Sequence, residues 1–279
     1  MKLQLKKYLK STFPKIYQIL ETTFKNRYEN VAIFNQKIQF KGWGLAINHA
    51  PPWVGSSKNK TYVEFNKAEI LLQEKIKNKS FNLSQYKNIY RLNYRHYILF
   101  YTAMIAFNNT KSRNIVECGV ADGLTIFFAI NKFKESPNYK VYLYDSWKEI
   151  KKEYLDEDRE KEMIGLYEHI SIENTKKNLL NYKDNIYFNQ GYIPDSFQKN
   201  NGPNELSWLH IDLNSSKPTL DSLEYFYPKL EKNGIILFDD YSWNGYEKTR
   251  ELIEIFLEDK EGEFLHLPTG QAFFVKKTN

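Results

Sequence analysis

Two adjacent aspartates follow an apolar run near the C-terminal end of the chain. The run GIILF occupies positions 234–238, and Asp239 and Asp240 come directly after it. If the run is a buried strand, the two carboxylates lie about 4 Å apart at its exit and repel each other by ~4 kcal/mol at an effective dielectric constant near 20. The pattern therefore predicts a positive partner beside them.

A third aspartate is expected to join this pair. The segment LSWLHIDL (206–213) is another apolar run, and it reaches Asp212 at its end. Strands joined by one right-handed crossover are usually neighbours, about 4.8 Å apart in a parallel sheet. Asp212, Asp239 and Asp240 should then converge at one edge, where their oxygens suit a hard divalent cation such as Mg²⁺. The alternative for Asp239 and Asp240 is helix capping in a solvated turn.

A cation at this position would have a chemical use. An aliphatic hydroxyl is about as weak an acid as water, with a pKa of about 15.7, until a metal binds it and lowers that value. We expect Asp212 to take the released proton as a general base. His210, two residues earlier on the same face of the strand, is the competing base, although a buried histidine there is more often structural.

A glycine-bearing turn provides a second candidate site. The segment VECGVADG (116–123) is typical of a strand, a turn and the start of a helix, and Gly119 and Gly123 let the backbone approach a ligand closely. The carboxylates of Glu117 and Asp122 would repel the pyrophosphate of a dinucleotide and attract a cation. S-adenosylmethionine (SAM), which carries a sulfonium and no phosphate, fits this turn better than NAD does. We expect all four residues to belong to a SAM site.

Polar residues after the next two strand-like runs complete the predicted cofactor site. Asp145 ends the second run, where an acceptor for the ribose hydroxyls belongs, and Ser146 follows it. After the third run, Gly191 precedes Tyr192, which we expect to stack on adenine, and Asp195 should cap or polarise the same pocket. The alternatives are that such aspartates only cap helices and that Tyr192 is an ordinary packed aromatic residue.

An alternation of strand-like and helix-like segments must position these residues. Five apolar runs lie at 114–120, 141–147, 185–192, 206–213 and 234–240. Helical spacing between or after them predicts helices over 124–133, 160–180, 194–199, 218–230 and 245–257. Five βα units in series imply a doubly wound, mostly parallel sheet. Two further strand-like runs around PTG (268–270) predict a closing antiparallel hairpin, which brings the sheet to seven strands.

Several of these segments together resemble a known family. The segments IVECGVADG, YDSW, GYIPDSF and LHIDLNSSKPTLDSLEYFYPKLEKNGIILFDDY are similar to the class I SAM-dependent methyltransferases of the macrocin and mycinamicin O-methyltransferase family. The similarity spans about 114–256. It implies a Rossmann-like class I fold, methylation of a sugar hydroxyl, and metal ligands at Asp212, Asp239 and Asp240. The chain departs from the family pattern at NSSKPT (214–219), where the family usually has a second acidic residue and YEST.

The N-terminal part of the chain is expected to be an extension of that fold. We expect residues 1–85 to form a helical and loop-containing cap, lid or oligomerisation segment, and residues 86–279 to form the methyltransferase domain. Trp43 and Trp53 lie near glycines and prolines and would form a sugar-stacking lid or an ordinary packed loop. Residues 1–28 carry a surplus of positive charge that matches the whole-chain excess of +6. They would pack as a surface helix, touch an anionic membrane, or contact a partner or nucleic acid.

Composition limits where the protein acts. Cys118 is the only cysteine, which excludes an intrachain disulfide and favours a reducing cytoplasm. No apolar run approaches the ~20 residues that span a bilayer. We therefore expect a cytoplasmic protein, with peripheral membrane contact through residues 1–28 as an alternative. The basic surplus is confined to that segment, which argues against a nucleic-acid substrate.

The sequence thus predicts a SAM- and divalent-metal-dependent O-methyltransferase. Its acceptor would be a sugar or glycosylated small molecule, in the tailoring of a polysaccharide or natural product, and we expect a homo-oligomer. The alternatives are an NAD-dependent sugar-modifying enzyme, a non-catalytic scaffold that binds SAM or sugar, and an RNA methyltransferase. Three aspartates at one strand edge and a turn without a phosphate-binding glycine pattern favour the first reading.

Overall fold

The computed structural model describes residues 60–84, 92–155, 160–199, 202–243 and 245–278. The predictions made for the basic segment 1–28 and for Trp43 and Trp53 lie outside these residues. The division at residue 86 and the role of the extension stay predictions.

Seven strands form one sheet in the order β3-β2-β1-β4-β5-β7-β6. Strands β1 to β5 pair in parallel, and β7 runs antiparallel to both β5 and β6. This confirms the predicted doubly wound, mostly parallel sheet with its closing hairpin. The strands are β1 (Asn114–Cys118), β2 (Lys140–Asp145), β3 (Ile186–Gln190), β4 (Leu206–Ile211), β5 (Leu230–Phe238), β6 (Gly262–His266) and β7 (Ala272–Lys276).

Helices cover both faces of the sheet. None of the helices in the described ranges has the length and hydropathy to cross a membrane. The α-helices are α1 (Lys60–Lys77), α2 (Asn93–Asn109), α3 (Leu124–Phe133), α4 (Ile172–Asn178), α5 (Asp195–Lys199), α6 (Ser216–Phe226) and α7 (Glu247–Leu257). Short 3₁₀ turns lie at Lys152–Tyr154, Glu160–Met163, Leu180–Asn185 and Tyr227–Lys229.

The helix predicted over 160–180 is wrong for its first half. Gly165 and Tyr167 both have positive φ angles, 81° and 68°, which end any right-handed helix there. The backbone instead pairs with the loop after β2, because Gly165 N–H donates to Ile150 O and Ile150 N–H donates to Leu166 O, each at 3.0 Å. Helix α4 begins only after Ser171, whose side chain accepts the N–H of Asn174 and caps the helix.

The two faces of the sheet bury separate hydrophobic clusters. Alternate strand residues such as Ile115 and Trp208 pack under α1, α2 and α3, whereas their neighbours Val116 and Leu209 pack under α5, α6 and α7. Both clusters are apolar because a parallel sheet is covered by helices on each side. Helix α1 contributes fully buried Phe65 to the first cluster. The described end of the N-terminal extension therefore shares a core with the sheet.

Candidate active site

One cleft opens at the carboxyl ends of the parallel strands. Strand order reverses between β1 and β4, and ligands of open α/β folds bind at such a switch point. The cleft has an empty volume of about 1150 Å³, part of it open to solvent. The predicted residues that line it are Gly119, Asp122, Asp145, Ser146, Gly191, Tyr192 and Asp212. The other predicted residues, Glu117, Gly123, Asp195, His210, Asp239 and Asp240, do not line it.

A row of backbone hydrogen bonds continues the sheet one residue beyond the strand ends at this cleft. Gly119 N–H donates to Tyr144 O, and Gly191 N–H donates to Asp145 O. On the other side of β1, Asp212 N–H donates to Cys118 O, and Asp239 N–H donates to Ile211 O. These four bonds measure 2.8 to 3.0 Å. The residues directly after β3, β1, β4 and β5 are therefore fixed to one another through their main chains.

The turn after β1 touches the backbone of β4. Gly119 has a φ angle of 84°, in the left-handed region that favours glycine. A Cβ atom at this position would overlap the carbonyl oxygen of Asp212. Glycine is needed here for both reasons. Because Gly119 packs against the backbone of Asp212, the predicted cofactor turn lies directly beside the predicted base.

Asp145 fixes the same turn from the other side. Its Oδ2 accepts the backbone N–H groups of Val120 at 2.7 Å and Ala121 at 2.9 Å, and its Oδ1 accepts that of Trp147 at 2.6 Å. Burial raises the pKa of Asp145, and the three backbone hydrogen bonds oppose that rise. Ser146 lies beside it on the cleft wall. Asp145 thus shapes the turn and also lines the cleft.

Tyr192 forms a wall of the cleft together with Tyr154. The two rings stack with their centroids 4.5 Å apart and their planes 8° from parallel. The Tyr192 hydroxyl donates to Glu149 O at 2.8 Å. Asp195 accepts the Tyr154 hydroxyl at 2.9 Å from outside the cleft. Asp195 therefore acts on this wall through Tyr154, whereas Tyr192 faces the cavity itself.

Glu117 and Asp122 both make hydrogen bonds to other parts of the protein. Glu117 is fully buried in β1, and its Oε1 lies 2.5 Å from the Thr125 hydroxyl and 2.7 Å from His210 Nδ1. Asp122 accepts the N–H of Ser84 at 2.7 Å and its hydroxyl at 2.8 Å, and it also accepts Asn174 Nδ2 at 2.7 Å. Asp122 therefore attaches the end of the N-terminal extension to the turn after β1.

Asp212 and Asp239 end adjacent strands, and Arg95 from the first turn of α2 lies between them. Arg95 Nη2 donates to Asp212 Oδ2 at 2.8 Å and to Asp239 Oδ2 at 2.7 Å. Arg95 Nε donates to Asp239 Oδ1 at 2.8 Å and to Oδ2 at 3.1 Å. Gln271 Nε2 adds a fourth donor contact to Asp239, at 2.9 Å from Oδ1. The positive partner that the sequence called for is therefore an arginine in this structure.

The donor atoms of His210, Asp212 and Asp239 lie within 4.8 Å of one another, close enough to share one metal ion. Asp240 is adjacent but turned aside, because its Oδ2 accepts the backbone N–H of Asn214 at 2.8 Å. Tyr246 in turn donates its hydroxyl to Asn214 Oδ1 at 2.7 Å. The structure thus brings two of the three predicted ligands together and holds the third against the loop after β4.

The pKa values of the two neighbouring aspartates shift in opposite directions. Burial, reinforced by the charge of Asp239, raises the pKa of Asp212 to about 7, although Arg95 opposes the rise. Burial alone would raise the pKa of Asp239 too, but Arg95 and His210 outweigh it and hold that pKa well below its usual range. Burial lowers the pKa of His210, yet the carboxylates of Asp239 and Glu117 raise it to about 9. Asp212 is the one of these three groups that lines the cleft and titrates near neutrality.

A sequence profile of the macrocin O-methyltransferase (TylF) family matches residues 102–263, more than half of the chain. The chain belongs to this family. It is a SAM-dependent O-methyltransferase, which decides against the NAD-dependent alternative. None of the curated protein sequences compared with it gave a match.

Two solved structures share the fold of this methyltransferase. The O-methyltransferase NovP superposes with a TM-score of 0.61 at 16% identity, covering 78% of this chain and 99% of its own. The calicheamicin methyltransferase CalS11 superposes with a TM-score of 0.53 at 14% identity, covering 86% of this chain and 99% of its own. At these identities the likeness concerns the fold alone.

Several residues of the methyltransferase site could not be found from motifs. Arg95 and Gln271 reach the aspartates from α2 and from the turn before β7, far away in sequence. Asn214 lies in the segment that departs from the family pattern, and Tyr246 meets it from beyond β5. The one signal that pointed to Arg95 was the uncompensated negative charge at the strand edge.

Replacing Gly119 by Ala should weaken SAM binding at least tenfold and lower the melting temperature. The new Cβ meets the carbonyl oxygen of Asp212, so the turn must move away from β4. Gly165→Ala is the matched control, because Gly165 has a similar φ of 81° but no atom of the described residues within 4 Å of an added Cβ. Its cost should be only the ~1 kcal/mol of a left-handed alanine. Calorimetric titration of SAM and urea unfolding would measure both, and equal effects of the two substitutions would contradict the clash.

Proposed function

We propose that this methyltransferase transfers the SAM methyl group to a hydroxyl of a sugar or glycosylated small molecule, with a divalent cation at the acidic edge of the sheet. The observation that carries the proposal is the position of Asp212, which lines the same cleft as Asp145 and Ser146 and touches the turn at Gly119. A base and a cofactor site in one cavity are what methyl transfer requires. The family name and the name of CalS11 support a glycosylated acceptor.

The chain would hold SAM at the β1 and β2 side of the cleft. Asp145 offers its carboxylate beside Ser146, and the turn from Gly119 to Asp122 presents backbone. Tyr192 supplies a flat aromatic wall for the adenine ring. Because SAM carries no phosphate group, its binding does not require an arginine or lysine side chain to neutralise one.

The residues at the β4 and β5 edge fit a divalent cation. Asp212 and Asp239 offer carboxylate oxygens, with Asp240 adjacent, and buried His210 Nε2, 3.8 Å from Asp239 Oδ1, has no hydrogen-bond partner among the described residues. Carboxylates suit Mg²⁺, whereas the imidazole would suit a softer divalent ion. Such a cation supplies Lewis acidity that lowers the pKa of a hydroxyl it contacts. His210 is itself held by Glu117, whose Oε1 lies 2.7 Å from its Nδ1.

Asp212 would then receive the proton of the acceptor hydroxyl. Bound SAM would supply the methyl group, its C–S bond breaking as a C–O bond to the acceptor oxygen forms. S-adenosylhomocysteine is the leaving product, and the hydroxyl proton passes to an Asp212 carboxylate oxygen. A carboxylate that lines the cleft beside the cofactor turn is positioned to accept this proton. The fixed backbone row keeps the base and the cofactor turn aligned.

Mass spectrometry of glycans and glycosylated metabolites tests the proposal. Cells with and without the gene should differ by about 14 Da per methyl group, the mass of one CH₂, in a saccharide-containing product. The purified protein with SAM and Mg²⁺ should restore that mass in extracts of the gene-free cells, and a chelator should stop the restoration. Methylation of a protein, a nucleic acid or an aglycone alone would refute the sugar acceptor, and full turnover in chelator would refute the cation.

Replacing Asp145 by Ala should raise the SAM dissociation constant about tenfold or more and leave Mg²⁺ affinity unchanged. The substitution removes the ribose acceptor and the three backbone hydrogen bonds that shape the turn. Asp259→Ala, at an exposed aspartate that pairs with the neighbouring Lys260, is the control and should change neither value. Unchanged SAM binding in Asp145→Ala, measured by calorimetry, would remove Asp145 from the cofactor site.

A further inference from the structure

We propose that Arg95 competes with the divalent cation for Asp212 and Asp239, so that metal binding requires the guanidinium to leave the position it has in this structure. The inference rests on the proposed function, because it concerns the same two carboxylates. It assigns to Arg95, which precedes the segment matched by the family profile, the role of a built-in counter-ion.

The first argument is geometric. Nη2 of Arg95 is nearly equidistant from Asp212 Oδ2 and Asp239 Oδ2, at 2.8 and 2.7 Å. An ion held by both carboxylates through these oxygens would have to come within about 2.0–2.1 Å of them in the case of Mg²⁺. Two positive groups cannot both occupy the space between those oxygens, since they would repel each other at a separation of a few ångströms.

The second argument concerns access. Arg95 lines the cleft, whereas Asp239 does not. Three hydrogen bonds run from the guanidinium group to the Asp239 carboxylate. A cation that arrives from the cleft therefore meets Arg95 before it reaches Asp239. The side chains of Arg95 and Asp239 are only 11% and 10% exposed, so little of either is open to solvent.

The third argument concerns what holds Arg95. Within the described ranges its side-chain hydrogen bonds go to Asp212 and Asp239, and its buried Nη1 has no hydrogen-bond partner there. No second acceptor anchors the guanidinium once a cation neutralises the two aspartates. An unpaired buried donor also costs free energy, which displacement into the open cleft would recover. The side chain can therefore be exchanged rather than being a permanent part of the site.

Metal binding to Arg95→Met tests the competition directly. The full chain, freed of metal, would be titrated with Mg²⁺ by calorimetry and with Mn²⁺ by electron paramagnetic resonance. Arg95→Met should bind either ion at least tenfold more tightly than the wild type, because no cation has to be displaced. Lys151→Met is the control: Lys151 lines the same cleft but pairs with Glu153, and its loss should change affinity less than twofold.

A second readout needs no variant. In protein labelled with ¹⁵N in its arginine side chains, the Nε–H resonance of Arg95 should shift on saturation with Mg²⁺, because both of its acceptor carboxylates are taken by the ion. Assignment follows from loss of that peak in Arg95→Lys, which keeps the charge. This measurement stands even where Arg95→Met folds poorly, and an unmoved Arg95 resonance under saturating Mg²⁺ would overturn the proposal.

The possible failures are distinguishable. Equal Mg²⁺ affinity in the wild type and Arg95→Met would overturn the competition and leave the metal-assisted function standing. No binding of either ion by either protein, with methyl transfer continuing in chelator, would overturn the metal dependence and the competition together. Tighter binding in Arg95→Met but not in Lys151→Met would support both.

Discussion

Replacing Asp212 by Asn is expected to lower the rate of methyl transfer by about 10²- to 10⁴-fold, the usual contribution of a general base, while making the metal-free protein more stable. The amide keeps the size of the carboxylate but cannot take the acceptor proton. Stability rises because burial and the charge of Asp239 disfavour the ionised form of Asp212, whose pKa is raised to about 7. A neutral side chain removes that repulsion and keeps an oxygen for the 2.8 Å contact with Arg95.

The raised pKa of Asp212 also predicts the direction in which stability changes with pH. An aspartate in the unfolded chain has a pKa of about 3.9. Between about pH 4 and pH 7 the folded wild type holds a proton at Asp212 that the unfolded chain has lost, so stability should fall as pH rises through this window. Asp212→Asn should lack that decline. Thermal unfolding of the metal-free proteins across the window measures the difference.

A suitable control is Asp221→Asn on α6, where the carboxylate pairs with Lys217 at 2.7 Å and does not line the cleft. It should change neither rate nor pH profile. Full turnover by Asp212→Asn would contradict the assigned base. Lower stability in the metal-free variant would show that the Arg95 contact outweighs the repulsion.

Replacing Asp239 by Asn should abolish detectable turnover, weaken Mg²⁺ binding by a hundredfold or more, and destabilise the protein. Asp239 receives hydrogen bonds from Arg95 and Gln271, and their removal leaves a buried guanidinium without its main charge partner. Breaking a buried ion pair in this way costs about 3–5 kcal/mol. Each kcal/mol lowers the melting temperature by roughly 2–4 °C in a domain of about this size.

The sign of this effect also follows from the pKa. Arg95 and His210 hold the pKa of Asp239 below its usual range despite burial, so the charged carboxylate stabilises the fold above the unfolded pKa near 3.9. That contribution is lost in Asp239→Asn, and in the wild type it is lost as pH falls below 4. Two aspartates on adjacent strands should thus respond to the same substitution with opposite shifts in melting temperature. Shifts of the same sign would refute the division of roles between them.

The sequence alone was enough to predict the strand arrangement of the sheet and the proximity of Asp212 to Asp239. Both follow from local rules, because apolar runs mark buried strands and a single crossover makes β4 and β5 neighbours. The same rules failed over 160–171, where Gly165 and Tyr167 turn the backbone towards Ile150. Helical spacing in a sequence gives no warning of a positive φ angle at a tyrosine.

The nature of the positive charge could not be predicted. Carboxylates at one strand edge require compensation, but a cation and an arginine satisfy that requirement equally in a linear sequence. Arg95 precedes Asp212 by 117 residues and Asp239 by 144. Its approach depends on how α2 packs against β4 and β5, which is a tertiary property. The direction of Asp240 towards Asn214 depends in the same way on the course of the loop after β4.

The row of backbone hydrogen bonds beyond the strands has an evolutionary consequence. The main-chain hydrogen bonds at Asp212 and Asp239 use no side-chain atom, so substitutions elsewhere on the cleft wall need not disturb the spacing between the ends of β1, β4 and β5. The side chains of that wall can therefore vary while the strand ends keep their positions. A scaffold of this kind separates the choice of substrate from the chemistry performed on it.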